Sequence, residues 1–215
     1  MPVLDSSPLA LHRSGLVEYE DALAIQRTIH GEVSGGMRPN TLILLEHPSI
    51  YTAGKRTLDE ERPGNGAKVL DVDRGGKITW HGPGQLVGYP IVKLRNPHEL
   101  VGFVREIEAG LIKVCADFGL IGVRVDGRSG VWIVDEQGER KIAAIGIRVA
   151  SGTSMHGFAL NVNPDLSAFD AIVPCGISDA AVTSLEKELG RNITLDEVTP
   201  VVEKFLYEAL TKVSA

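Results

Sequence analysis

A thiol between a proline and a glycine stands at Cys175, in Ile172-Val173-Pro174-Cys175-Gly176-Ile177. Pro174 has no N–H for a strand ladder, and Gly176 admits backbone angles closed to other residues. A cysteine at so irregular a point can offer its sulfur to a pocket while nearby N–H groups face a bound carbonyl. The chemistry served would be nucleophilic attack. The alternative is a small buried hydrophobe, the usual state of a free cysteine. The second cysteine, Cys115, adjoins Val114 on the apolar face of a helical pattern and reads as core.

A nucleophilic thiol needs a base, a cation or a helix N-terminus to become thiolate. Lys141 is the first candidate, opening the apolar run Ile142-Ala143-Ala144-Ile145-Gly146-Ile147. On a regular strand it shares a face with Ala143 and Ile145, while Ile142 and Ala144 point the other way. An amine whose stem lies on apolar neighbours is partly desolvated, which lowers its pKa and lets it exchange a proton. The alternative is a solvated lysine at the end of a hairpin. His81, in Trp80-His81-Gly82-Pro83-Gly84, and His156, in His156-Gly157-Phe158, are the other candidates. Either would make a Cys–His pair, or serve as a structural hydrogen bonder.

The third constellation is Arg74-Gly75-Gly76-Lys77-Ile78-Thr79-Trp80-His81-Gly82-Pro83-Gly84-Gln85. It is neither a phosphate-binding GxxxxGK[ST] loop nor a GxGxxG turn. Its glycines allow a backbone to approach a ligand closely, with Ile78 and Trp80 lining an apolar slot. A glycine-rich hairpin without a ligand fits the same residues.

The elements that must hold these groups follow from periodicity. Tyr19 to Val33 reads as a helix with Leu23, Ile25, Ile29 and Val33 as its apolar positions, ended by Gly35-Gly36. Thr41 to Glu46 is a buried strand, Thr52 to Lys68 a long loop, Val69 to Asp73 a short strand and Leu86 to Leu94 another strand. Leu100, Val104, Ile107, Leu111, Val114 and Phe118 recur at helical spacing, so Glu99 to Phe118 is a helix capped by Gly119. Val131 to Val134 and Lys141 to Val149 flank a polar connection suited to a hairpin, and Met155 to Val162 is a further strand. Thr183-x-x-Glu186 and Thr194-x-x-Glu197 have the spacing of capping boxes, so helices start at both, and Pro200 suggests a restart after Thr199. Strands come in runs rather than alternating with helices. The expectation is α+β: a mixed, mostly antiparallel sheet flanked by helices, in one domain spanning 1–215.

Composition narrows the function classes. The chain has 215 residues, 43% hydrophobic and 23% charged, which suits a globular domain with a full core. The net charge is −6 and no block of Lys or Arg occurs, so no nucleic-acid partner is expected. No apolar run approaches the ~18 residues of a membrane span, and residues 1–15 lack the apolar centre of an export signal. No membrane association is expected, and a cytoplasmic location is. Two cysteines without CxxC spacing give neither a disulfide framework nor a metal site.

Taken together, RGGKITWHGPGQLVGYPIV (74–92), GRSGVWI (127–133), KIAAIGIRV (141–149), HGFALNVN (156–163), IVPCGI (172–177) and TSLEKELG (183–190) resemble the lipoyl(octanoyl) transferases. The resemblance runs from about Leu16 to Val213. It implies a fold shared with lipoate and biotin protein ligases. It implies transfer of an octanoyl group from octanoyl-acyl carrier protein to lipoyl domains of 2-oxoacid dehydrogenase E2 subunits and of the glycine cleavage H protein. By the same resemblance Cys175 is the acyl-thioester nucleophile, and Lys141 lowers the thiol pKa and relays the proton. Arg74, Gly75, Gly76, Lys77, Ile78, Thr79, Trp80 and His81 would bind substrate, as would Ala144, Ile145, Gly146, Gly157, Phe158 and Ala159. His156 would be a supporting residue. No metal and no cofactor is implied, because a thioester is already activated. Trp80 and Lys77 depart from the family's commoner Tyr and Gln. A basic rim of Arg56, Arg74, Lys77 and Arg148 would suit acidic partners. Three rival readings remain: an ATP-dependent lipoate or biotin ligase, a non-catalytic acyl-carrier-binding module, and a thiol hydrolase using Cys175 with His156.

Overall fold

In a computed structural model the described residues are 9–64, 66–172 and 181–215. The chain runs β1 (Leu9–Leu16), α1 (Tyr19–Ser34), β2 (Asn40–Glu46), β3 (Ile50–Ala53), β4 (Val69–Asp71), β5 (Thr79–His81) and β6 (Gln85–Ile91). It continues α2 (Leu100–Asp117), β7 (Gly122–Val125), β8 (Arg128–Asp135), β9 (Gly138–Ala150), β10 (Thr153–Asn161), β11 (Ala181–Val182), α3 (Leu185–Leu189) and α4 (Leu195–Val213). The described strands form an eight-stranded sheet in the order β1-β2-β6-β10-β9-β8-β7, with β11 beside β9, and a small sheet β4-β3-β5. β1 is parallel to β2 and β11 to β9, while the other pairs of the large sheet are antiparallel. This is the mixed, helix-flanked sheet that the grouping of strands predicts.

Strand alternation divides the core in two. On β2, Leu42 and Leu44 face α2 and α4, whose Phe103, Ile107, Leu111, Val202, Leu206 and Leu210 fill one side of the sheet. Ile43 and Leu45 face α1, and with Val87, Tyr89 and Ile91 of β6 they fill the other. Cys115 lies fully buried in the first cluster, and burial pushes its thiol up to about 12. It is therefore the packing residue its helical position suggests.

Several expectations are corrected. Ile25 and Leu100 are exposed; the buried stripe of α1 is instead Tyr19, Ala22, Leu23, Gln26, Ile29 and Val33. The polar stretch after Thr52 begins inside β3 and carries a 3-10 turn at Asp59–Glu61. β1 and β7 leave no mark in the sequence, because edge strands bury little; β1 buries only Leu9. The first capping position is Ser184, whose Oγ accepts from the Lys187 N–H at 3.2 Å, one residue later than expected. Thr194 caps α4 as expected. α4 does not restart at Thr199 but runs through Pro200, because the packing of Val198, Val202, Leu206 and Leu210 outweighs a proline penalty of about 3 kcal/mol.

Candidate active site

On the side of the sheet where α1 packs on β10, β6 and β2, the parts of β9 and β10 beside α1 stay open and floor a cleft of about 230 Å³. Lys141, Ala144 and Gly146 of β9 line it, with Gly157 and Ala159 of β10, Val87 and Tyr89 of β6, and Tyr19 of α1. The floor can open here because these β9 and β10 residues are alanine and glycine. Gly157 has a further reason to be glycine: a Cβ would lie 1.9 Å from the Gly88 carbonyl oxygen. Gly157→Ala should accordingly destabilise the fold by about 3 kcal/mol or more, read as a lowered denaturant midpoint.

Lys141 enters the cleft through an irregularity. Val131 of β8 pairs with Ala143 and Trp132 with Lys141, so Ile142 is an extra residue on β9. Ile142 and Ala143 consequently both face the α2–α4 core, and the parity of the strand reverses on crossing them. Lys141 shares its face with Ala144 and Gly146, not with Ala143 and Ile145 as strict alternation predicts. Its Nζ sits 4.6 Å from the centre of the Trp132 ring, and the residue is 7% exposed. No ion pair involves Lys141 among the described residues. On its other side Val182 of β11 pairs with it, and the Thr183 N–H donates to its carbonyl at 2.9 Å.

The glycine-rich stretch divides by face. Arg74, Gly76, Lys77, Thr79 and His81 line the cleft. Ile78 and Trp80 turn away into a separate apolar cluster, where Trp80 stacks edge-on against Phe169 and donates from Nε1 to Ser49 Oγ, so Trp80 does not shape the slot. The Gly75 N–H donates to the Ile147 carbonyl, tying the stretch to β9. Arg74 is buried and donates to Thr52 Oγ1 and to the carbonyls of Thr52, Gly75 and Lys77. It is a brace for the loop rather than part of a basic rim. Lys77 is paired with Glu61 and Arg148 with Asp73, which leaves Arg56 as the exposed member of the expected rim at the cleft.

His156 has a φ of 59°, which is rare for a residue with a side chain and marks stored strain. Gln26 accepts its N–H at 3.0 Å, and its Nε2 lies 2.7 Å from Asp73 Oδ1. His156 and Arg148 hold the Asp73 carboxyl below its usual range against the opposing effect of burial, so Nε2 is the donor. Nδ1 is buried with no partner among the described residues. Burial lowers the His156 pKa, with Asp73 opposing. The residue therefore borders the cleft as a histidine oriented by a carboxylate. Asp73, one residue before the motif, was given no site role from the sequence, nor were the lining residues Tyr19, Val87 and Tyr89, nor Gly127, Arg128 and Ser129 at the start of the GRSGVWI motif.

A chain of amides fixes the other histidine. Asn161 Nδ2 donates to the Thr183 carbonyl, Gln85 Nε2 donates to Asn161 Oδ1, and Gln85 Oε1 faces His81 Nδ1 at 2.7 Å. His81 Nδ1 must then carry the proton, leaving Nε2 as an acceptor. Behind it, His47 Nδ1 donates to the Val17 carbonyl and Nε2 accepts from the Tyr89 hydroxyl, both at 2.7 Å. Burial lowers His81 to about 3 and His47 to about 4. An unfolded chain binds these protons from about pH 6.5 downward, while the folded one refuses them until about 3–4. Stability should be unaffected above pH 7 and fall as pH drops through 6 to 4, by roughly 1.4 kcal/mol per unit for each histidine at most. Thermal unfolding at pH 7 and pH 5 measures this, and His47→Asn should flatten the dependence.

Cys175 lies outside the described residues. The described chain resumes at Ala181, and Val182, the pairing partner of Lys141, is seven positions after Cys175 in sequence. The pattern of the lipoyl protein ligase A/B catalytic domain matches residues 18–206. The chain belongs to this family. An octanoyltransferase of Acidothermus cellulolyticus is 61% identical over 203 residues, covering 94% of this chain and 92% of the relative. Among solved structures, the bipartite lipoate protein ligase of Thermoplasma acidophilum superposes with a TM-score of 0.75 at 18% identity, over 94% of this chain and 84% of that one. The biotin protein ligase of Aquifex aeolicus gives 0.52 at 14% identity, over 95% and 68%. The ligase-like fold expected from the motifs is thus the fold of this member of the lipoyl protein ligase A/B family. No helix among the described residues is long and apolar enough to cross a membrane.

Proposed function

We propose that this chain is an octanoyltransferase that moves an octanoyl group from acyl carrier protein to a lysine of a lipoyl domain, through a thioester on Cys175. The acceptors are the lipoyl domains of 2-oxoacid dehydrogenase E2 subunits and of the glycine cleavage H protein. The reading treats residues 1–215 as one catalytic domain working in the cytoplasm. One observation carries it: the buried Lys141 amine, outside any described ion pair, stands at the edge of an alanine–glycine floor with room for an alkyl chain. Its relative of that name, alike along most of both chains, supports the same activity.

In this scheme Lys141 takes the Cys175 proton and the thiolate attacks the thioester carbonyl of the donor. The carrier's pantetheine sulfur leaves with its bonding electrons and takes the proton back from Lys141. A lysine amine of the acceptor domain then attacks the acyl-enzyme and forms the amide, and Cys175 leaves as thiolate. Lys141 accepts the proton that the new amide sheds and restores the thiol. Exchange of one thioester for another is nearly balanced, so orientation and oxyanion stabilisation matter most. Backbone N–H groups near Cys175 and Gly146 supply the latter. Each buried methylene contributes about 0.8 kcal/mol, so the octanoyl tail supplies much of the binding.

The test is transfer from octanoyl-acyl carrier protein to a lipoyl domain without nucleotide, followed by intact mass. Amide formation without ATP supports the reading. Transfer of free octanoate only when ATP is present would establish a ligase instead, and release of octanoate without an acceptor would establish a hydrolase.

A further inference from the structure

The cleft floor has a gradient of side-chain size across the sheet. Ala144 on β9 lies opposite Ala159 on β10, and Ala159 lies opposite Val87 on β6. In the next row Gly146 lies opposite Gly157. In these two rows β9 and β10 present alanine and glycine, Ile145 and Phe158 bordering the cleft from between them while packing with the α2–α4 core, and bulk begins at β6 with Val87 and, two residues along the same face, Tyr89. Beyond them Val87 pairs with Leu45 of β2, where α1 closes over the sheet.

The dimensions match a particular chain. Neighbouring strands are about 4.8 Å apart, so β9 to β6 is about 10 Å. A fully extended chain advances about 1.2 Å per bond, judged from the polypeptide backbone, so the seven carbon–carbon bonds of an octanoyl group reach about 8 Å. Two further methylenes would bring a decanoyl tail to about 11 Å and onto Val87.

The wall is also stiff. Val87 is 1% exposed and packed among Ile43, Leu45 and Ala159. The Tyr89 hydroxyl is locked through His47 to the Val17 carbonyl. A side chain so packed cannot swing aside for a longer tail without breaking buried contacts.

We propose that Val87, backed by Tyr89, is the end wall that sets acyl chain length, with the alanine–glycine floor of β9 and β10 fixing the distance to it. This rests on the acyl-transfer reading above and adds to it the residues that measure the tail.

The experiment uses the purified chain and two changes at one position, Val87→Ala and Val87→Leu, with Ala159→Val as an independent third. Values of kcat/KM are measured for hexanoyl-, octanoyl- and decanoyl-acyl carrier protein with one lipoyl domain as acceptor. Val87→Ala should raise the decanoyl-to-octanoyl ratio roughly tenfold, as expected for two methylenes in an apolar slot. Val87→Leu and Ala159→Val should raise the hexanoyl-to-octanoyl ratio instead. A loss of stability lowers all three substrates together and cannot produce opposite shifts. Chain-length profiles unchanged from wild type, or both Val87 variants shifting the same way, would overturn the wall while wild-type octanoyl transfer keeps the function intact. A wild-type chain that transfers no acyl group of any length overturns the function and the wall with it.

Discussion

Cys175→Ser should abolish octanoyl transfer, by roughly 10⁴-fold or more, whereas Cys115→Ser should retain it. The size follows from removing a nucleophile: when the atom that forms the covalent intermediate is lost, only binding and oxyanion stabilisation remain. A serine hydroxyl beside an amine is a far weaker nucleophile than a thiolate at neutral pH. Cys115 provides the contrast, since burial among Phe103, Ile107 and Leu111 holds its proton and keeps it from solvent. Intact mass after exposure to octanoyl-acyl carrier protein should show one octanoyl increment on wild type and on Cys115→Ser, and none on Cys175→Ser. An adduct that survives Cys175→Ser would move the nucleophile elsewhere.

The second large effect belongs to the amine. Lys141→Ala should lower kcat by roughly 10²–10⁴-fold, the usual range for a positioned acid–base group. The same change should raise the pH at which Cys175 reacts with iodoacetamide, because a cation that favours thiolate is gone. Lys141→Arg separates charge from proton transfer. A guanidinium keeps the positive charge but does not give up its proton at accessible pH. Alkylation of Lys141→Arg should therefore stay closer to wild type than that of Lys141→Ala, while both fail in turnover. Identical alkylation profiles for wild type and Lys141→Ala would remove the lysine from its role.

Much of this was legible in the sequence, for identifiable reasons. Helical spacing located α2, because Ile107, Leu111 and Val114 repeat on the face that packs on α4 and the sheet. Combined motifs located the family, and with it the cleft residues of 74–81 that belong to β5 and its approach. What stayed hidden were relations between strands. Ala144, Ala159 and Val87 are unremarkable one at a time and become a graded floor only when three strands are set in register. Asp73 was only the last residue of a short expected strand until His156, 83 residues away, was placed beside it. The faces of β9 were misassigned because alternation assumes an unbroken strand, and nothing in Lys141-Ile142-Ala143 marks where the break falls.

The extra residue at Ile142 has a consequence for how this strand tolerates length changes. Loss of one residue there would return the chain to simple alternation. Lys141 and Ala144, then separated by a single core-facing residue, would still share the cleft face, so the ammonium would keep its place. Deletion of Ile142 should therefore cost the stability of one buried side chain without misplacing the amine, while the alanines and glycines downstream keep their own phase.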